Sequence, residues 1–220
     1  MKIVYLIAGI ALFLKILIIP NPMLESEEVF IVETIVEETG VTNAVSGIIF
    51  RNRLYDTISE VVVFTIAILG VQYLFGDETP STKVYRFTDE PSIVLARLAA
   101  TISALVGIEL ALRGHLSPGG GFAAGVALGT AIGLIVITSS IQSMEKIYQD
   151  YNASKWEKFI VVLFIILSTI TLMGFELPYG NLGSLISGGI IPILNILVAL
   201  KVGLGSWAVI LLFIRYRGLL

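Results

Sequence analysis

No cysteine occurs among the 220 residues, so the chain can ligate no iron–sulfur cluster and close no disulfide. A single histidine, His115, leaves little scope for a haem or zinc site. Neither a glycine-rich phosphate loop with its lysine nor a strand–turn–helix dinucleotide fingerprint is present. Charge is scarce as well: 14% of residues are Asp, Glu, Lys or Arg, against roughly a quarter in a soluble domain. Redox chemistry therefore belongs to a partner, and the expectation for this chain is no cofactor and no bound metal. What is abundant is apolar surface, with 56% hydrophobic residues and a mean hydropathy of +0.92. That composition predicts an all-α, polytopic integral membrane protein, at home in a lipid bilayer rather than on nucleic acid.

Six spans can be drawn, at 2–19, 54–76, 92–112, 119–140, 156–174 and 189–213, each near the ~20 residues that a bilayer requires. The first apolar run ends Ile18-Ile19-Pro20-Asn21 without a small-residue cleavage pattern, so it reads as a retained span rather than a signal peptide. The acidic stretch 20–52 predicts an interfacial helix, and Val41 to Phe50, apolar but too short to cross, a buried or re-entrant segment. With the N-terminus inside, the inner segments hold Lys2, Lys83, Arg86, Lys146, Lys155, Lys158, Arg215 and Arg217. The outer ones hold Arg51, Arg53 and Arg113. The balance predicts a multi-pass protein of the cell membrane with both termini cytoplasmic, and Arg51 and Arg53, on the minority side, are expected to be paired within protein.

Between the third and fourth spans lies Gly114-His115-Leu116-Ser117-Pro118-Gly119-Gly120-Gly121-Phe122. A tight turn calls for glycine, whose positive φ costs little, and tolerates a proline without an N–H; it does not call for a histidine. Gly121, Gly125, Gly129 and Gly133 follow at four-residue spacing, a stripe of small residues on which another helix can approach backbone to backbone. This turn and glycine helix resemble the central signature of the B subunit (MnhB-like) of Mrp-type sodium/proton antiporters, and a similar subunit of archaeal membrane-bound hydrogenases and their sulfur-reducing relatives. Upstream, Phe50, Arg51, Asp56, Thr57 and Glu60 resemble the C-terminal end of the large Mrp A protein, or the separate E-type subunit of the archaeal hydrogenases. One extra residue stands before the aspartate. The two resemblances imply a fusion: an E-type segment over 1–76, a polar connector over 77–91 and a B-type, four-helix membrane domain over 92–220.

Ionisable residues inside spans are the first candidates for function, because an ionised side chain at mid-bilayer costs at least ~2.5–3.5 kcal/mol. Lys201 lies near the middle of the last span. It is either a proton or ion relay, or a lysine locked to a carboxylate or carbonyl of a neighbouring helix or subunit. Asn195 is on a different face of that helix, at a place where many bacterial B subunits carry an acid, so the role of that acid is not transferred to it. Asp56 and Glu60, one turn apart, are candidates to hold sodium or take protons, or to pair with Arg51 and Arg53. Glu109, Arg113 and His115 crowd the glycine turn. The first two have i,i+4 spacing, and the histidine titrates near neutral pH, which suits a gate. Gly119 and Gly120, with the stripe from Gly121 to Gly133, are assigned structural roles, as are Arg51 and Arg113, and Glu176 is expected to be solvated.

The resemblances imply a non-catalytic accessory subunit, not itself an enzyme, of a sodium- or proton-translocating respiratory complex of the hydrogenase or sulfane sulfur reductase kind. Its expected partners are antiporter-like membrane subunits and the subunits of a redox arm. A subunit of a stand-alone Mrp antiporter and a purely structural scaffold are the alternatives. A self-contained transporter is disfavoured by the lack of matching inverted halves.

Overall fold

A computed structural model of the protein describes Leu14 and residues 25–81, 84 and 87–218. The chain divides into two compact units, Met1–Thr34 and Ile35–Leu220. Helix α1 (Glu25–Thr39) begins in the first unit and ends in the second. The second unit continues with a short helix α2 (Ala44–Gly47), which runs into a π-helical turn (Ile48–Asn52). There follow α3 (Leu54–Leu74), α4 (Glu90–Arg113), α5 (Gly121–Thr138), α6 (Ile141–Asp150), α7 (Ala153–Leu172) and α8 (Ile191–Arg217). No strand is present among the described residues.

The helix boundaries follow from local chemistry. Asp89 caps α4 by accepting from the Ser92 N–H at 3.2 Å, with Pro91 in the first turn where its missing N–H costs nothing. Ser140 caps α6 in the same way through Ser143 N–H at 3.3 Å. Pro192 opens α8, and Arg215 and Arg217 sit in its last turn, where cations offset the helix dipole. Before α5, Gly120 has φ +147°, a conformation that a side chain rarely adopts.

Helix α8 is the axis of the second unit. Among its buried residues, Leu194, Val198 and Val202 meet Val61 of α3 and Ile160, Val161 and Phe164 of α7 in one apolar cluster. On its other side lies the α4–α5 hairpin. A Cβ on Gly121 would lie 2.6 Å from Asn195 O, and one on Gly125 would lie 2.8 Å from Ala199 O and against Val202 Cβ. A Cβ on Gly129 would meet Ser206 Cβ at 2.7 Å. The glycine stripe of α5 thus faces α8 at backbone distance. Short, amphipathic α6 closes a second cluster, Val136, Ile141, Met144, Leu211 and Ile214. The connector 77–91 falls within this unit, whose core draws on helices both before and after it.

Among the described residues four helices, α3, α4, α5 and α8, are long and apolar enough to cross a membrane. The count of six spans drawn from sequence is not confirmed among the described residues. The first, 2–19, lies outside the described residues apart from Leu14. The fifth is α7, twenty residues long, in which Lys155, Glu157 and Lys158 fall within every stretch of span length.

The two ends of the unit are tied differently. At one, Asn43 N–H donates to His115 O at 3.1 Å, Asn43 Nδ2 to Gly114 O at 2.8 Å and Ser117 O at 2.9 Å, and Thr42 Oγ1 to Leu116 O at 2.9 Å. The partly buried segment before α3 therefore clamps the glycine turn. At the other end, Arg215 pairs with Glu145 at 3.1 Å and Arg217 with Glu78 at 2.8 Å, while Ser81 N–H donates to Arg215 O at 2.9 Å.

The close approach of α5 and α8 makes a graded prediction. Gly125→Ala must displace Val202 and the Ala199 carbonyl, an overpacking that costs about 1–3 kcal/mol. Gly133→Ala meets only the flexible tip of Ile210, at 3.2 Å. In thermal unfolding of the purified protein, Gly125→Ala should lower Tm clearly and Gly133→Ala hardly at all.

Candidate functional site

Lys201 stands ten residues into α8, about 15 Å along the helix axis from Ile191. Its ammonium donates to the Oε1 of Glu157 on α7. The two residues expose 0% and 4% of their surface. The Phe64 ring of α3 lies 5.4 Å from Nζ, near enough for its negative face to favour the cation. Three helices thus converge on one ion pair, and the choice left open for Lys201 includes this geometry: a lysine held by a carboxylate of a neighbouring helix. The carboxylate was not among the candidates read from sequence. Glu157 sits in the charge run Ser154-Lys155-Trp156-Glu157-Lys158, which resembles a solvated helix start. The signal that finds it is helical spacing: Ala153, Glu157, Ile160, Val161 and Phe164 form one buried stripe of α7, and Glu157 is its only charged member.

Asn195 is a separate site, as its place on the helix requires. Its Nδ2 donates to Ala111 O at 2.7 Å and Leu110 O at 3.2 Å, bonding to carbonyls at the C-terminal end of α4. Its Oδ1 is buried without a partner. One turn on lies His115, 0% exposed, with neither ring nitrogen hydrogen-bonded. Burial pushes its pKa below the ordinary value, more than the backbone of Ser184 and Leu185 raises it. Buried Ser46 Oγ is unpartnered as well; its N–H bonds Asn43 Oδ1 at 3.4 Å. Orphaned polar atoms of this kind are rare in native interiors. Here several lie on residues linked through the glycine turn.

The remaining candidates do not converge on one place. Asp56 bonds to Arg53 at 2.6 Å, while exposed Glu60 reaches Arg53 only through its field. Glu109 and Arg113 form an exposed i,i+4 pair at 3.0 Å, of a kind worth about 0–1 kcal/mol. Glu176, expected to be solvated, is exposed; it also pairs with Arg51 at 2.6 Å and accepts from Tyr179 Oη at 2.8 Å. The Tyr179 hydroxyl first, and the Arg51 guanidinium against an opposing effect of burial, hold the Glu176 carboxyl below its ordinary range. Arg51 and Arg53 are therefore both paired within the protein.

The neutral state of His115 has a measurable consequence. Because its folded pKa is depressed from 6.5, the unfolded chain binds more protons than the fold below that value. Stability should be flat above pH ~6.5 and fall as pH drops beneath it. Tm measured between pH 5 and 8 should show that loss, and His115→Gln, which cannot titrate, should flatten it.

This geometry sits in a chain with recognisable relatives. A model of the domain related to the MnhB subunit of Na+/H+ antiporter matches residues 91–208. An uncharacterised protein of Methanocaldococcus jannaschii is 28% identical over 205 residues, covering 78% of this chain and 77% of its own length. A probable K(+)/H(+) antiporter protein of Rhizobium meliloti, which combines the A and B parts of that antiporter, is 28% identical over 145 residues. That match covers 54% of this chain but only 14% of the much longer relative. Among solved structures, a chain of the membrane-bound sulfane sulfur reductase, an archaeal respiratory membrane complex, superposes with a TM-score of 0.72 at 26% identity, over 97% of this chain and 96% of that one. A chain of the Mrp complex from Dietzia sp. DQ12-45-1b has the same fold over 95% of this chain and 25% of its own, at a TM-score of 0.65 and 16% identity. The MnhB match takes in more than half of the sequence, including the glycine turn, the stripe, Glu157 and Lys201, and the chain belongs to the family of domains related to the MnhB subunit of Na+/H+ antiporters.

Proposed function

We propose that this protein is a non-catalytic membrane subunit of a cation-translocating respiratory complex, of the sulfane sulfur reductase or membrane-bound hydrogenase kind. The observation that carries this reading is end-to-end correspondence. The match covers 97% of this chain and 96% of a chain of the sulfane sulfur reductase, whereas it spans only 25% of the Mrp chain and 14% of the Rhizobium antiporter protein. The second reading, a subunit of a stand-alone Mrp antiporter, is supported by the MnhB match itself. Its partners are antiporter-like membrane subunits and, in the favoured reading, the subunits of a redox arm.

The contribution of this subunit is the Lys201–Glu157 pair. A buried pair can exchange a proton between two states, ammonium with carboxylate and amine with carboxylic acid, without leaving a net charge in the apolar interior. Protons or sodium moving in neighbouring subunits would bias that exchange through their fields. Asp56, paired with Arg53, and Glu109, paired with Arg113, stay outside this exchange, as do exposed Glu60 and buried His115. In this reading both termini are cytoplasmic, with the glycine turn on the outer side and Arg215 on the inner side. A new thiol at Ser81→Cys, in a chain that has no other, should react with an impermeant reagent from the cytoplasmic side alone; reaction from outside overturns the orientation.

The conduction reading is tested by removing charge without leaving an orphan. Lys201→Met strands a buried carboxylate, a loss of about 3–5 kcal/mol, and should impair assembly. Glu157→Gln/Lys201→Met removes both charges and should restore subunit content in the purified complex. Sodium-dependent flux of that double variant in vesicles should fall at least tenfold. Full assembly with wild-type flux would make the pair a scaffold.

A further inference from the structure

The pair is packed closely on the α3 side, and a cavity lies near it beside α6. Between α3 and α8 the space is apolar: a Cβ on Gly205, one turn beyond Lys201, would meet the Ile68 side chain and Phe64 Cε1, the latter at 2.9 Å, and Ile68 is buried. On the α7 side a cavity of about 280 Å³ opens beside α6. Its polar lining is Gln72, Glu145, Tyr148, Gln149, Ser154 and Arg215, over a floor that includes Ala208. A water needs only about 10–15 Å³ of such space and two or more polar partners, so the cavity has room for several.

Helical spacing connects this cavity to the pair. Lys201, Ala208 and Arg215 recur at intervals of seven on α8, about two turns each, so the buried lysine, the cavity-lining alanine and the exposed arginine share one face. On α7, Ser154 precedes Glu157 by three residues, about 4.5 Å along the axis and on the same side. Tyr148, half-buried and edge-on to Trp207 at 5.1 Å, overhangs the same place. Burial raises the pKa of its hydroxyl, Ser154 opposes that, and the charge of Glu157 adds to it. The charged and titratable groups facing Glu157 are thus Lys201 from α8 and Tyr148 from α6, while α3 presents the Phe64 ring.

We propose that the cavity under α6 is the aqueous mouth through which protons reach Glu157, with Tyr148 and Ser154 as the last hydroxyls on the way. This deepens the reading above and rests on it. The permeant species is the proton rather than a sodium ion. Hydroxyls and water can hand a proton on without any atom entering the apolar layer, whereas a bare cation at Glu157 would meet the Lys201 ammonium already bonded there.

The test uses the intact complex in membrane vesicles. Ser154→Cys introduces the chain's single thiol at the inner limit of the cavity. The impermeant cation 2-(trimethylammonium)ethyl methanethiosulfonate is applied from the side on which Ser81→Cys reacts. Ser154→Cys should be modified at least tenfold faster than Ser168→Cys, a control on the same helix whose residue is 0% exposed. Modification of the assembled complex should lower proton-coupled flux tenfold. A Ser154→Cys thiol as slow as the Ser168→Cys control overturns the proposal, and so does rapid modification that leaves flux unchanged. Failure of the relay reading shows elsewhere, as undiminished flux in Glu157→Gln/Lys201→Met, because thiol accessibility is read without any transport.

Discussion

The second unit is organised around one electrostatic requirement: an ammonium and a carboxylate, both removed from solvent, must find each other. Lys201 and Glu157 lie on different helices, 44 residues apart in sequence, and neither has an alternative solvent contact. Desolvating two ions costs several kcal/mol each, recovered only if their geometry is kept. α7 and α8 are therefore not free to slide or rotate against each other, and the Phe64 ring adds α3 to the same constraint. An apolar pair at these positions would hold the helices at least as firmly. Retaining charge where hydrophobic packing would serve is the physical reason to look for function here.

Lys201 is buried where α3 and α7 cover α8, and the glycines let α5 pack closely beside that core. With a side chain at Gly121 or Gly125, α5 would be pushed away from Val198 and Val202, opening the α8 core to lipid or water. The glycine turn before α5 fixes where the stripe begins, and Asn43 and Thr42 fix the turn by bonding to its carbonyls. Upstream and downstream segments of the chain are thereby joined in one core. A connector such as 77–91 can mark a seam in sequence without marking a break in packing.

This division explains what was legible in advance. The stripe, the turn, the isolated Lys201 and the all-helical architecture are patterns within single segments, where periodicity and composition speak directly. Partners are pairwise facts between distant segments. Glu157 was hidden by two flanking lysines that make its neighbourhood resemble a solvated helix start, although its spacing with Ile160 and Phe164 places it on the buried face. The partner of exposed Glu176 was not legible either, since nothing near it in sequence announces Arg51. The fifth span is unconfirmed because α7, otherwise apolar, carries three charges crowded into one end.

The same three charges give the unit its polarity. Lys155 and Lys158 are exposed while Glu157, between them, is buried, so the foot of α7 presents cations outward and an anion inward. Arg215 with Glu145 frames the cavity at that end. At the other end the polar atoms of Asn195, His115 and Ser46 are enclosed, with no partner among the described residues for Asn195 Oδ1, the His115 ring or Ser46 Oγ. One end thus carries an open polar cavity and the other a set of enclosed polar atoms, in the same unit as the buried Lys201–Glu157 pair. A static scaffold does not require this asymmetry. For a unit that must connect a buried proton-exchanging pair to water on one side at a time, it is the minimum requirement.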